Sequence, residues 1–372
     1  MSIIHSLIDE FIKRDASDLY ITVGAYPSIR VAQGIVPIGN QQLTEENVKD
    51  AILGILPESI MDEFASTLEY NTAINWKNTA RLRINLFRQR QHPGMVLRRI
   101  RTQIPTLEAL GLPPLYSELI MEKRGLILIV GPTGSGKSSS LASMLEHRNL
   151  HGGGHIVTLE DPVEFFLEHK GCIITQRDVG IDTYSFSIGL KNTLRQAPDI
   201  IVIGEIRDRE AMEHAIAFSE TGHLCLATLH ANNANQAVER ILNFFPEERH
   251  QQILRNLSLN LRAILSQRLM SNTSGGQSIA IEIMLNQGLI RQLIHEGQVR
   301  ELKECIEKGS EQGMHTFDQD LLRLCEAGII SESTALAEAD TPSNLRLALQ
   351  QNTVARRTIT MAQHKPDKKT QF

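Results

Sequence analysis

The apolar run Leu126-Ile-Leu-Ile-Val130 leads straight into Gly131-Pro-Thr-Gly-Ser-Gly-Lys-Ser138, and Ser139–Leu145 then reads as the start of a helix. The middle segment is a complete G-x-x-x-x-G-K-[ST] loop, and a strand before it with a helix after it is the context that gives the motif meaning. Gly131, Gly134 and Gly136 let backbone N–H groups turn inward around phosphate oxygens. The helix N-terminus adds unpaired N–H groups and partial positive charge. In such a loop Lys137 reaches the β- and γ-phosphates and the Ser138 hydroxyl holds Mg²⁺, with Pro132, Thr133 and Ser135 completing the cradle. The competing reading, a chance glycine turn, leaves both flanking elements unexplained.

This feature requires an α/β layer, and the rest of the chain supplies one. From about residue 115, apolar strands alternate with amphipathic helices, the pattern of a mainly parallel sheet covered on both faces. The expected strands are Gly125–Val130, His155–Leu159, Ile200–Ile203, Leu224–Leu229 and Ser278–Met284. Expected helices carry Phe186, Leu190 and Leu194; Ala211, Met212, Ala215 and Ile216, opened by Asp208; and Ile253, Leu254, Leu257, Leu261, Ile264 and Leu265 as one long element. Residues 1–103 alternate short helices and strands, and Thr44 is placed to cap a helix through Val48, Ile52 and Leu56. Residues 104–114, with Pro105, Pro113, Pro114 and Gly111, read as a linker. The expected nucleotide-binding core is 115–284, a helical appendix follows at 285–349, and 350–372 is expected to be a disordered tail.

Composition excludes several classes. A net charge of −5 argues against a general nucleic-acid binder. Apolar runs stop at strand length, well short of the ~18–20 residues of a membrane span. The N-terminal segment carries Asp9 and Glu10 and lacks the apolar stretch of a signal peptide. Cys172, Cys225, Cys305 and Cys325 form no C-x-x-C pair, so neither zinc nor a disulfide framework is expected, in keeping with a cytoplasmic protein.

Four further clusters bear on chemistry. Thr158-Leu-Glu-Asp-Pro-Val-Glu164 places three acids beyond a strand end, where an open parallel sheet puts its ligand loops; an acidic helix cap is the alternative. Asp199-Ile-Ile-Val-Ile-Gly-Glu-Ile-Arg207 has the form of a Walker B strand with Glu205 as its acid, or of a buried strand followed by a surface glutamate. His223 and His230 bracket the run Leu224–Leu229 and can sense a γ-phosphate, whereas either one alone would more often be structural. Arg81, Arg83, Arg88, Arg90, Arg98, Arg99 and Arg101 are for the most part a solvated strand face; Arg83, Arg98 and Arg99 are the candidate arginine fingers.

In this order the clusters resemble the Walker A, Asp box, Walker B and His box of the secretion ATPase superfamily of types II and IV secretion and type IV pili. The resemblance is strongest at Gly131–Ser138, Glu160–Glu164, Gly204–Asp208 and Thr221–His230. Within the superfamily the chain resembles the pilus retraction group, PilT and PilU. It lacks the four-cysteine insertion of the assembly branch; Gly288-Leu-Ile-Arg-Gln-Leu-Ile-His295 partly matches the usual PilT motif, and Gly313-Met-His-Thr-Phe-Asp-Gln319 with Ser343-Asn-Leu-Arg-Leu347 resembles the PilU branch more. The resemblance implies an N-terminal PAS-like α+β domain and a C-terminal RecA-like P-loop domain, assembled as a cytoplasmic homohexamer at the inner-membrane pilus base. It implies ATP and Mg²⁺ as cofactors, with Glu164 activating water, Glu205 supporting metal and water, and His223 and His230 as sensors. The implied partners are a pilus platform protein and the paralogous retraction ATPase, not nucleic acid. The implied role is a motor of pilus retraction and twitching motility, or a non-motor subunit assisting the principal motor.

Overall fold

A computed structural model describes residues 3–31, 34–77, 79–100 and 103–351. Arg101 and nearly all of the expected tail lie outside these. Two compact units divide the chain: Met1–Ile104 with Val157–His169 and Ile174–Asn192, and Pro105–Ile156 with Lys170–Ile173 and Thr193–Phe372. The first unit therefore takes in the acidic loop after residue 157, which chain order alone would give to the second.

The first unit opens with α1 (Ile3–Lys13), whose Ile4, Leu7, Ile8 and Phe11 recur at helical spacing and are buried. Next come β1 (Asp18–Thr22), β2 (Ser28–Val31), β3 (Gly34–Pro37), α2 (Glu45–Leu53), α3 (Ser59–Thr67), β4 (Glu69–Trp76), β5 (Ala80–Gln89) and β6 (His92–Ile100). The strands form one antiparallel sheet in the order β3-β2-β1-β6-β5-β4. Thr44 caps α2 as expected, through a reciprocal box in which its hydroxyl accepts the Asn47 N–H and the Asn47 side chain accepts the Thr44 N–H. β5 alternates strictly: Leu82, Ile84 and Leu86 enter the core, and Arg81 and Arg83 take the other face. Arg83 lies directly opposite Arg98 across the β5–β6 ladder. Like charges in that position repel, and here each is drawn to its own carboxylate. Arg98 Nε donates to buried Asp18 at 2.8 Å, while Arg83 sits 3.8 Å from Asp178. Arg99 pairs with exposed Asp15 at 2.7 Å.

Next along the chain come α4 (Leu115–Ile120), β7 (Gly125–Val130), α5 (Lys137–His151), β8 (Gly154–Glu160) and β9 (Cys172–Asp178), the last two passing into the first unit at Val157 and Ile174. α6 (Phe186–Thr193), which belongs to the first unit up to Asn192, is followed in the second by β10 (Ile200–Ile203), α7 (Arg209–Glu220), β11 (Leu224–Leu229), α8 (Ala234–Asn243) and α9 (Glu247–Asn260). After β12 (Leu261–Ser271) and β13 (Gln277–Leu285) the chain is helical: α10 (Gly288–Glu296), α11 (Leu302–Lys308), α12 (Phe317–Glu326) and α13 (Glu332–Glu338). The seven-stranded sheet runs β13-β12-β7-β11-β10-β8-β9, with β12, β7, β11 and β10 parallel and β13 antiparallel to β12. Asp208 caps α7 by accepting the Ala211 N–H at 2.9 Å.

One expectation is overturned here. The long helix through Leu265 ends at Asn260, and Leu261, Ile264 and Leu265 lie in β12. The spacing of those leucines suits a helix, but β12 is a central strand buried on both faces, so its apolar positions show no period of two. The appendix packs Phe317, Leu321, Leu324, Ala335 and Leu345 against Met270 and Ala280 of β12 and β13.

Candidate nucleotide-binding site

The glycine loop leaves the end of β7 and enters α5 through Gly136, which is left-handed at φ 90° and N-caps the helix. A side chain at Gly131 would strike the Ser135 hydroxyl at 2.4 Å and the Gln267 carbonyl at 2.5 Å, so only glycine fits between loop and β12. Below the loop, Gln267 donates to the Ser140 hydroxyl at 2.7 Å and fixes the first turns of α5. Lys137 is buried, and its ammonium donates to the Gly131 and Pro132 carbonyls at 2.8 and 2.9 Å. A bound phosphate replaces those neutral acceptors with charged ones, so the swap is favourable. Ser135 Oγ is buried and without a hydrogen-bond partner. Such an atom in a glycine cradle at a helix N-terminus is the setting an anion completes.

Parallel pairing brings the next groups to the same edge. Val130 lies beside Leu229, and the Gly131 N–H reaches the Leu229 carbonyl, so His230 follows at the loop end of the sheet. β10 ends alongside β11, where the Ile206 N–H donates to the Thr228 carbonyl at 2.9 Å. Glu205 therefore stands next to His230. One carboxylate oxygen is 2.9 Å from His230 Nε2, and the other accepts from Arg207 Nε at 2.8 Å. Ser138 lies in the first turn of α5, directly after Lys137. Among the described residues no three His, Cys, Asp or Glu side chains gather as metal ligands. The donors present fit Mg²⁺, which takes one or two protein oxygens and fills its octahedron with phosphate and water.

His223 is placed differently. It precedes Leu224, which pairs with Gly125, the first residue of β7. Seven residues of strand at about 3.3 Å each put it roughly 20 Å from the loop end. Its imidazole is hydrogen-bonded to the Thr221 hydroxyl at 3.0 Å. The structure thus joins Lys137, Ser138, Glu205 and His230 and leaves His223 at the far edge of the sheet.

In the first unit, Glu160 ends β8 and Glu164 lies four residues on, exposed. Burial pushes the Glu160 carboxyl up to about 7, against hydrogen bonds from Thr158 and Gln176 that pull it down. Beside the glycine loop, a cleft of about 560 Å³ is lined by Pro132–Ser135, Asn232, Asn233, Gln236, Arg268, Leu269 and Ala337–Asp340. Arg268 spans it, paired to Asp340 at 2.6 Å and stacked 4.0 Å above the Phe317 ring. Sequence reading missed Arg207, Arg268, Gln176 and Glu282. A lone acid inside the apolar run Ile279–Met284 was a legible signal for the last, and Arg207 sat within a recognised motif.

A family model described as type II/IV secretion system protein matches residues 66–364. The chain belongs to that family. This secretion ATPase is 50% identical over 345 residues to the type IV pilus ATPase PilU of Pseudomonas aeruginosa, covering 92% of this chain and 90% of that one. It is 38% identical over 332 residues to the type IV pilus retraction ATPase PilT of the same organism, covering 89% and 96%. The crystal structure of the pilus retraction motor PilT with bound ADP superposes with a TM-score of 0.86 at 34% identity, covering 93% of this chain and 99% of that one. The kinship to the PilT/PilU group expected from the motifs is therefore shown. The higher identity to PilU agrees with the PilU-like reading of residues 313–319 and 343–347.

Proposed function

We propose that the chain is a Mg²⁺-dependent ATPase that powers type IV pilus retraction and twitching motility as a cytoplasmic homohexamer at the inner-membrane pilus base. The observation that carries the reading is the convergence of Lys137, Glu205 and His230 at one sheet edge beside a loop built for phosphate. Gly131–Ser138 cradle the phosphates of ATP, Ser138 and Glu205 serve the metal, and His230 reads the γ-phosphate. Glu164 takes the proton of the attacking water. Glu160, with a carboxyl raised to about 7, is the alternative base. The six-stranded antiparallel sheet with its helices supports the PAS-like reading of the first unit. Among the described residues no helix is long and apolar enough to cross a membrane, so the proposed membrane contact runs through a platform protein.

Arg98 and Arg99 are the arginines we assign to a nucleotide held by a neighbouring subunit. The Arg98 side chain is 65% exposed, and Arg99 pairs with an acid that is 93% exposed. The Arg99–Asp15 pair, with so exposed an acid, is worth about 0–1 kcal/mol and exchanges readily, whereas Arg98 would have to leave the buried Asp18 carboxylate. A second reading, in which the chain mainly assists a paralogous retraction ATPase and hydrolyses little itself, is favoured by the higher identity to PilU.

ATP turnover by the purified chain, alone and with that paralogue, tests both. E164Q is expected to bind ATP normally and to lose turnover at least about a hundredfold, the lower end of what a general base contributes. Normal turnover in E164Q with loss in E160Q would move the base to Glu160. Loss of twitching on deletion, restored by E164Q, would favour the assisting role.

A further inference from the structure

We propose that Gln176 is a positioning residue for the water-activating carboxylate: its side-chain amide clamps both ends of the Glu160–Leu167 loop and so sets the face on which Glu164 stands. The inference rests on the reading of Glu164 as the base.

Gln176 lies on β9, and its amide is fully used in one place. Oε1 accepts the Leu167 N–H at 2.8 Å. Nε2 donates to the Phe165 carbonyl at 2.9 Å and to Glu160 Oε1 at 3.3 Å. Bonding the carbonyl of one residue and the N–H two positions on is the pattern a parallel strand makes with its neighbour. The side chain thus makes with residues 165–167 the bonds that a neighbouring parallel strand makes. The same loop is tied at its start by the Val179 N–H, which donates to the Glu160 carbonyl at 2.9 Å.

The register matters because the segment is extended. Val163, Phe165 and Leu167 are buried, while Glu164, Phe166 and Glu168 are exposed. In an extended segment a slip of one residue exchanges the two faces, which would turn Glu164 inward and expose the apolar side chains. Burial of the three apolar residues favours the observed face, and the two backbone bonds from Gln176 fix the register along it. A displacement of about 1 Å in a catalytic group can cost about 10²-fold in rate, so the clamp bears on turnover without touching nucleotide.

The test uses the full chain carrying Q176L, which ends one bond shorter and removes every hydrogen bond, and Q176E, which keeps the acceptor and loses the donor. Three readouts separate positioning from general damage. Expected for Q176L are a kcat lowered at least tenfold with ATP affinity changed less than twofold, less than a twofold further loss when combined with E164Q, and faster deuterium uptake in residues 161–168 with none added at 131–138. Q176E is expected to fall between wild type and Q176L, and it carries the same measurements if Q176L is not recovered folded. Wild-type kcat, a matching loss of affinity, or a further tenfold loss on the E164Q background would overturn the proposal. Should E164Q itself turn over normally, the assignment of the base fails. Uptake in 161–168 then still decides the clamp, and unchanged uptake refutes it.

Discussion

Glu282 offers a measurement whose size follows from its surroundings. The residue is on β13, 2% exposed, and its Oε1 accepts the Ala234 N–H at 2.8 Å and the Ser266 hydroxyl at 3.2 Å. It therefore anchors the start of α8, just beyond His230. Burial pushes its carboxyl from 4.5 up to about 7. An acid that holds its proton more tightly when folded costs nothing below the unfolded value, where both states are protonated. The cost grows as pH rises from 4.5 and levels off above about 7. At about 1.4 kcal/mol per pH unit, the full span is about 3 kcal/mol. Glutamine has the same shape, accepts the same two hydrogen bonds and carries no charge. E282Q should therefore be more stable than wild type by about 1–3 kcal/mol at pH 8 and within about 1 kcal/mol of it at pH 5. Urea denaturation followed by far-ultraviolet circular dichroism at both pH values measures this. The single tryptophan, Trp76, lies in the other unit and would report the wrong transition. An offset of the same size at pH 5 and pH 8, or a loss of stability at pH 8, would refute the reasoning.

Lys137→Ala should abolish nucleotide binding while the melting temperature moves by only a few degrees, because the ammonium holds loop carbonyls rather than core; calorimetric titration with ATP showing wild-type affinity would count against the cradle. His230→Ala should lower turnover more than affinity and His223→Ala should do neither, since only His230 adjoins Glu205; equal kinetic losses in the two variants would contradict the strand register as the guide. Arg98→Ala with Arg99→Ala, mixed in trace amounts with wild type, should poison activity beyond the mutant fraction. A strictly proportional decline would make both arginines ordinary surface charges.

What could be read from the sequence divides along the line between local and non-local structure. The glycine loop was legible because strand, turn and helix N-terminus are consecutive, and each residue's role depends on its near neighbours. The caps at Thr44 and Asp208 were legible for the same reason. β12 was misread because the helical stripe of α9 continues without a glycine or proline into a strand buried on both faces. The one local mark is the extended backbone of Leu261, at φ −61° and ψ 138°, which no side chain announces. β9 was passed over because its residues, Cys-Ile-Ile-Thr-Gln-Arg-Asp, carry four polar or charged side chains, as an edge strand tolerates and a central one does not.

The histidines show where local reasoning reaches too far. His223 and His230 both flank a short apolar run, and proximity in sequence suggested proximity to one phosphate. A strand is a ruler, however, and seven residues of it are roughly 20 Å. The length was available from the sequence. What was missing was the direction, which the parallel register of β11 on β7 supplies by placing Leu229 next to Val130 and the loop. The same register puts Glu205 at that edge and makes Arg207 and His230 its immediate neighbours. A catalytic constellation in an open parallel sheet is thus decided less by which residues a motif contains than by which end of its strand each one leaves. That is why, of the two histidines, it is the second that stands beside Glu205.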